Sequence, residues 1–433
     1  MDGDGDNDGR ADVLAASAEA EISGAVVPSA DVDLLSGLPD NLLVRILLCL
    51  HHLHFHGNPA DYAEAARTCV LSRRWRDLWV QIPVLVFYCF NPDGCARVHA
   101  ALACPRPRRR CPGHHETPRA FNALTALHLK RIRIDGQLIL GDSMFPSLHN
   151  VLIDNTLGLV DLALSSRSLV WLKLSHLRGL QRINVEAHSL EWLCVIHCLR
   201  YNLQVASFSM EGLKVLRWTD RFDPILVNLS EMPHLRQLSI THFIPYGWAG
   251  HNPNQDCLRI INHFSTIHHL ELVVSIESDL SGTESKLECI TSLPNIEILS
   301  LVLSSHGHVI GASVLYLLRM CTGIRELSLK LPENSEVLNT CPLNCICDQQ
   351  PNWRAEHILM KFLREAEILN FRGEDHELDL VKLLLRAAPG LRRLRITCHR
   401  SFAAWERLSE DLQSLASQET CVEVSQVMTP PQP

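Results

Sequence analysis

The most regular feature of the chain is a spacing of apolar residues that recurs from residue 124 onward. Each unit follows the pattern L-x-x-L-x-L with apolar replacements, and its last two apolar positions alternate as they do on one face of a β-strand. The units are Leu124/Leu127/Leu129, Leu148/Val151/Ile153, Leu169/Leu172/Leu174, Leu190/Leu193/Val195, Leu213/Leu216/Trp218, Leu235/Leu238/Ile240, Ile267/Leu270/Leu272, Ile296/Leu299/Leu301, Ile324/Leu327/Leu329, Ala366/Leu369/Phe371 and Leu391/Leu394/Ile396. The pattern predicts a stack of short strands.

The distance from one unit to the next divides the series into two parts. The first steps are 24, 21, 21, 23 and 22 residues, and the next are 32, 29 and 28 residues. These periods are typical of leucine-rich repeats, in which one unit cannot bury its apolar face and stacked neighbours share a continuous core. The longer steps leave room for helices, such as one predicted at 312–321. We expect parallel pairing in chain order, with Leu172, Leu216, Leu238 and Leu299 buried.

Apolar residues at helical spacing dominate an earlier region, residues 38–83. Pro39 suits the first turn of a helix, and Pro83 ends the region. One apolar stripe contains Leu42, Leu43, Ile46, Leu47 and Leu50, and another contains Leu71, Trp75, Leu78, Trp79 and Ile82. A unit of this size cannot hide so much apolar surface by itself, because small domains bury a low fraction of their surface. The region is therefore predicted to be a docking module.

Two parts of this region resemble the F-box in its plant form. They are Leu38-Pro39-Asp40 and the block 66–79, which reads ARTCVLSRRWRDLW. The segment 51–64 between them is longer than in familiar members and holds four histidines. The resemblance implies docking to the Skp-like adaptor of an SCF ubiquitin ligase and, through that adaptor, to a cullin. The adaptor-binding residues it implies are Leu38, Pro39, Leu42, Leu43, Ile46, Leu47, Leu71, Trp75, Leu78 and Trp79.

The block at 341–400 resembles the FBD domain that follows leucine-rich repeats in plant F-box proteins. The matching features are Cys341, Cys345, Cys347, Trp353, a strand at 366–371, Gly373 and a helix at 377–388. The helix has an apolar face and is followed by Pro389-Gly390 and another strand. This arrangement indicates that the block continues the solenoid.

Exposed strand positions of such solenoids line a concave face that binds other proteins. Arginine and aromatic side chains are enriched at binding hot spots, and Arg217, Trp218 and Arg221 cluster at the middle repeat. Trp218 occupies a core position of the pattern, so we expect it to be buried. Arg217 precedes it and should point to the opposite face. Arg217 and Arg221 are therefore the predicted target contacts.

Composition narrows the function classes. The chain has 433 residues, 46% of them hydrophobic and 20% charged, which is enough for two or three domains with cores. A net charge of −8 argues against nucleic acid as the main partner. The sequence shows neither a long apolar span nor a secretory signal, so we expect a nuclear or cytoplasmic protein. Sixteen cysteines in such a compartment are expected to be reduced and mostly buried.

No metal, cofactor or catalytic site is predicted. Asp4, Asp6 and Asp8 begin like a calcium loop, but Ala15 stands where the loop needs a glutamate. Cys341, Cys345 and Cys347 could ligate a metal, but the sequence offers no obvious fourth ligand. The chain contains no P-loop, nucleophile elbow or H-E-x-x-H motif.

These observations predict an α/β protein in which a small helical F-box precedes an irregular leucine-rich-repeat solenoid. The predicted parts are a disordered acidic tail (1–33), the F-box (34–86), a linker loop (87–120), the repeats (121–332), the FBD-like region (333–400) and a C-terminal segment and tail (401–433). The favoured function is a non-catalytic subunit that recruits a target protein to an SCF-type ligase. A scaffold unrelated to ubiquitin and an enzyme with an unrecognised catalytic cysteine are the alternatives.

Overall fold

The structure is a computed structural model that describes residues 38–45, 78, 81–88, 120–199, 202–250, 252–290, 293–331, 341, 345–349 and 353–426. Its main feature is a parallel sheet of thirteen strands that lie side by side in chain order. These strands are β1 (Val84–Tyr88), β2 (Ala126–Lys130), β4 (Asn150–Asp154), β6 (Trp171–Ser175), β8 (Trp192–Ile196), β10 (Val215–Thr219), β12 (Gln237–Phe243), β14 (Thr266–Ser275), β16 (Asn295–Ser304), β17 (Glu326–Lys330), β18 (Glu365–Phe371), β19 (Arg393–Cys398) and β20 (Cys421–Gln426). The chain is an α/β protein with a solenoid-like strand stack, as the repeat pattern predicts.

The alternating apolar positions of the repeat point to one side of this large sheet and form the core. Leu172, Leu216, Leu238 and Leu299 are each 0% exposed. Neighbouring strands place these positions in register, so that Leu216 lies opposite Leu193 on one side and Leu238 on the other. The predicted parallel order and the predicted burial are both confirmed.

A second parallel sheet covers the core in the first half of the solenoid. Its strands are β3 (Arg133–Gly141), β5 (Leu157–Ser165), β7 (Arg182–Glu186), β9 (Val205–Ser209) and β11 (Val227–Leu229). The short repeats leave room for a second strand and two turns but not for a helix. The two sheets meet in the core, where the rings of Phe208 and Trp218 pack edge to face with centroids 6.1 Å apart. Trp218 is buried, as predicted.

Helices replace the second sheet where the repeats lengthen. They are α1 (Gln255–His263), α2 (Gly311–Met320), α3 (Ile346–Gln349), α4 (Asp375–Ala387) and α5 (Trp405–Leu415), and β13 (Tyr246–Trp248) pairs antiparallel with β15 (Thr283–Ser285). Val314, Leu317 and Leu318 of α2 are buried, and α2 contacts α4. Within the described ranges, no helix has both the length and the apolar character needed to cross a membrane.

One repeat has a different register from the predicted one. Leu327 pairs with Ala366, so Ala366 is the second apolar position of its unit and Leu363 is the first. Leu363, Ala366 and Ile368 are buried, whereas Leu369 is only half-buried. The predicted unit Ala366/Leu369/Phe371 is therefore wrong by three residues. The sequence pattern fits both registers, because positions 363, 366 and 368 and positions 366, 369 and 371 are all apolar.

Four successive repeats turn out of the large sheet in the same way. Arg131, Asn155, His176 and His197 each follow a strand and have left-handed φ angles of 51° to 53°. Their N–H groups donate to the carbonyl oxygen of the last residue of the next strand in the large sheet, for example from His176 to Ile196 at 2.8 Å. These bonds extend the ladder by one residue, which offsets a conformation that side chains with a Cβ rarely adopt.

Candidate functional site

The outer face of the large sheet, opposite the core, is the candidate binding surface. The residue between the two core positions of each strand points to this face, because side chains alternate along a strand. Register places Lys173, Cys194, Arg217, Ser239 and Glu271 side by side on five neighbouring strands. The row brings cationic, hydroxyl and carboxylate groups together in the middle of the solenoid.

An ion pair crosses this row. Arg217 Nη2 lies 3.0 Å from Glu271 Oε1, and the Ser239 hydroxyl between them donates to the same carboxylate oxygen at 3.0 Å. The Arg217 side chain is 40% exposed and that of Glu271 is 20% exposed. Arg217 thus points away from the core as predicted, but it already has a partner within the chain. A target that binds Arg217 must fit around this pair or replace Glu271.

A pair of stacked tryptophans lies on the same face. The rings of Trp171 and Trp192 have centroids 4.7 Å apart and planes 3° from parallel. Register places the two residues directly opposite each other, and both are half-buried. They are not among the residues predicted from the sequence, although each directly precedes the second apolar position of its repeat. A tryptophan at the same position of two successive repeats is a sequence signal from which the pair could have been predicted.

Arg221 lies beyond the end of β10 in the wall of an open cleft. The cleft has a volume of about 460 Å³, and its lining also includes Asp220, His242, Asp256 and Cys257. The Asp220 side chain is occupied by the protein itself, since it accepts hydrogen bonds from the backbone of Cys198, Leu199 and Arg221. Arg221 is exposed. The cleft could therefore receive a target side chain or a small ligand next to an exposed arginine.

Cys194 lies in the row between Lys173 and Arg217. Burial raises the pKa of its thiol, although the two cations oppose that effect. A nucleophilic cysteine needs a lowered pKa, since the thiolate is the reactive form. The environment of Cys194 therefore favours a packed, protonated thiol.

The described residues of the N-terminal module include both exposed and buried side chains. Residues 40–45 are helical, and Leu42 is 40% exposed whereas Leu43 is 0% exposed. Pro39 is exposed, Leu38 is half-buried, and Leu78 is 1% exposed. Ile46, Leu47, Leu71, Trp75 and Trp79 lie outside the described residues, as do the acidic tail and the segment 51–64. Pro39 and Leu42 are thus available to a partner, whereas Leu43 and Leu78 are packed inside.

The structure brings a histidine to the three cysteines for which the sequence offers no obvious fourth metal ligand. His308 lies beside Cys341, Cys345 and Cys347, and one ligand atom from each residue lies within 4.8 Å of the others. The histidine precedes the nearest of these cysteines by 33 residues and belongs to the loop between β16 and α2. Linear spacing gave no signal for it, because the loop reaches the cysteines only in the folded chain.

Comparison with known proteins gives a distant relationship. No known family profile matches the chain. A protein of Arabidopsis thaliana, whose name describes it as an F-box/FBD/LRR-repeat protein, is 27% identical over 122 residues. The match covers 28% of this chain and 23% of that protein. It supports a distant relation to proteins of that kind, and it agrees with the solenoid fold.

Proposed function

We propose that this chain is the target-recruiting subunit of an SCF-type ubiquitin ligase and has no catalytic chemistry of its own. The N-terminal module binds a Skp-like adaptor, which connects the chain to a cullin. The outer face of the large sheet binds a target protein. The chain acts by proximity, because a target held near the ubiquitin donor reacts at a high effective concentration. The proposed setting is the nucleus or the cytoplasm.

The observation that carries the target-binding part is the outer-face patch of Trp171, Trp192 and Arg217. Stacked aromatic rings give a large contact area that is already ordered, so little entropy is lost when a partner covers them. Tryptophan and arginine are the residue types most enriched among binding hot spots. The Arg221 cleft adds a concave feature beyond the end of β10, the strand that carries Arg217.

The adaptor-binding part is supported by the sequence resemblance and by the exposure of Leu42. A leucine that is 40% exposed on a short helix next to a buried Leu43 is suited to packing against a partner. The distant relative, by its name, combines the same three elements of F-box, FBD and leucine-rich repeats.

The first experiment measures adaptor binding by Leu42→Asp. Because Leu42 is exposed, the change should abolish binding to a purified Skp-like adaptor and leave the melting temperature unchanged. Leu359→Asp is the matched control, since Leu359 is 51% exposed in the C-terminal block. Wild-type adaptor affinity in Leu42→Asp, or no adaptor binding by the wild-type chain, would favour a scaffold unrelated to ubiquitin.

The second experiment measures target capture with degradation blocked. Replacing Trp171 and Trp192 by alanine, or Arg217 and Arg221 by glutamate, should remove captured targets while adaptor binding persists. Arg182→Glu is the control, because Arg182 is an exposed arginine on β7 in the second sheet. If both outer-face variants capture the same targets as the wild-type chain, another surface selects the target.

A further inference from the structure

A cluster of three cysteines and one histidine lies where β16, α2 and α3 come together. Nδ1 of His308 is 3.3 Å from Cys341 Sγ, 3.4 Å from Cys345 Sγ and 3.5 Å from Cys347 Sγ. Cys341 Sγ and Cys347 Sγ are 3.4 Å apart, which is much longer than a disulfide bond of about 2.05 Å. The four groups therefore surround a common centre without being covalently joined.

These distances match the edges of a zinc tetrahedron. With Zn–S near 2.3 Å and Zn–N near 2.0–2.1 Å, ideal tetrahedral angles put nitrogen and sulfur about 3.6 Å apart and two sulfurs about 3.8 Å apart. The three nitrogen–sulfur distances of 3.3–3.5 Å are close to the first value. Hydrogen bonding alone does not explain the convergence, because one ring nitrogen has a single lone pair for three thiols.

The second ring nitrogen of His308 orients the first. Nε2 lies 3.3 Å from the carbonyl oxygen of Ser278, to which it donates its hydrogen. That bond selects the tautomer in which Nδ1 carries the lone pair that faces the cysteines. Histidines that ligate metals commonly use a backbone carbonyl in this way. His308 is only 3% exposed, so its ring is held by the surrounding structure.

We propose that His308, Cys341, Cys345 and Cys347 form a structural zinc site. Four protein ligands fill a tetrahedral coordination sphere and leave no position for a substrate or a water molecule. Three sulfurs and one nitrogen in that geometry select zinc among the common divalent metals. The site is independent of target recruitment and adaptor binding.

Zinc at this position would fasten the connection between β17 and β18 to the solenoid. Cys345 directly precedes α3 and Cys347 lies within it, and the chain then reaches a 3-10 turn at Trp353–Ala355. Trp353 is 2% exposed and packs on Gly311, where an added Cβ would come within 2.3 Å of the indole ring. The metal therefore holds a segment whose tryptophan covers the start of α2.

Metal analysis of the full chain tests the site directly. Protein purified under reducing conditions without chelators should contain about one zinc ion per chain. Cobalt(II) in its place should give the thiolate charge-transfer band and the visible bands of a tetrahedral site. His308→Ala and Cys347→Ala should lose most of the bound zinc, whereas His308→Cys should retain it, because a fourth thiolate can complete the tetrahedron.

Two control variants separate ligation from general damage. Cys321→Ala removes a buried thiol elsewhere on the α2 side, and His306→Ala removes a histidine in the same loop whose Nδ1 contacts the Ile276 carbonyl oxygen. Both should keep the zinc. A strong chelator should lower the melting temperature of the wild-type chain and of both controls. Wild-type protein that contains no zinc, contains iron instead, or forms a Cys341–Cys347 disulfide would overturn the assignment, whether or not the variants fold.

Discussion

The two halves of the solenoid bury the same kind of leucine row under different covers. From β2 to β11, the large sheet alternates along the chain with a second parallel sheet. The turns after β2, β4, β6 and β8 are each made by a left-handed residue at an equivalent position. From β12 to β20, helices of different lengths and individual connections provide the cover. The first half is stabilised by repeated nearest-neighbour contacts, whereas the second also depends on single contacts that occur once each.

The largest expected effect compares how the sheet cover and the helical cover respond to a cavity in the core. Leu216 in the first half and Leu394 in the second occupy the same pattern position, and both are 0% exposed. Replacing either by alanine should lower the free energy of unfolding by about 2–5 kcal/mol, because each change leaves a cavity. Urea unfolding of both variants measures this loss. A much smaller loss for Leu394→Ala would show that the helical cover collapses into the cavity.

Glycine substitutions compare an irregularity within the second sheet of the first half with a turn in the second half. Gly373 has a φ of +78°, and an added Cβ would come within 2.2 Å of the Phe402 ring. Gly373→Ala should therefore cost about 2–4 kcal/mol, from backbone strain and from displacement of that ring. Gly136 in β3 has a φ of +89° but no atom within 4 Å of an added Cβ. Gly136→Ala should cost only about 1 kcal/mol. Equal costs in thermal unfolding would mean that Phe402 moves freely.

A buried carboxyl group should make the second half sensitive to pH. Burial raises the pKa of Glu377 to about 7, although it accepts backbone hydrogen bonds from Arg372 and Gly373. A raised folded-state pKa stabilises the fold fully below the unfolded pKa of 4.5, and that contribution is lost as the pH rises through about 7.

The matched variant for this prediction is Glu377→Gln. Between pH 7.5 and pH 5, wild-type protein should gain roughly 1–3 kcal/mol of unfolding free energy relative to the variant. Chemical denaturation at several pH values measures the difference. A pH-independent difference would show that the Glu377 carboxyl titrates at the same pH in the folded and unfolded chain.

The smallest expected effect concerns the ion pair on the outer face. A double-mutant cycle with Arg217→Ala and Glu271→Ala should give a coupling energy of about 0.5–1 kcal/mol, because both side chains are partly exposed to water. Thermal or urea unfolding in low and high salt measures it, and salt should reduce it. A larger coupling that resists salt would mean that the pair is structural and less available to a target.

The sequence predicted the large-sheet strands of the first half because one spacing rule repeats there. The L-x-x-L-x-L spacing predicted the strands, their order and the burial of Leu172 and Leu216. It did not predict the second sheet, although buried apolar residues alternate in its strands as well, for example at Leu162/Leu164 and Ile183/Val185. In the second half, the pattern fitted two registers near Ala366, and only strand pairing identified the correct one. His308 was missed because it precedes Cys341 by 33 residues, and only the folded chain brings the two side chains together.

The chain-order arrangement of the large sheet also has a kinetic consequence. Each new strand pairs with the strand of that sheet that precedes it in the chain, so few contacts join distant segments. Low contact order speeds folding, and a one-dimensional stack can grow from any formed neighbour. During synthesis, each emerging repeat can dock on the repeat made before it. In the second half, Trp353 covers the start of α2 only after the connection between β17 and β18 has folded. Newly made chains should therefore pause there and be most exposed to chaperones or proteases.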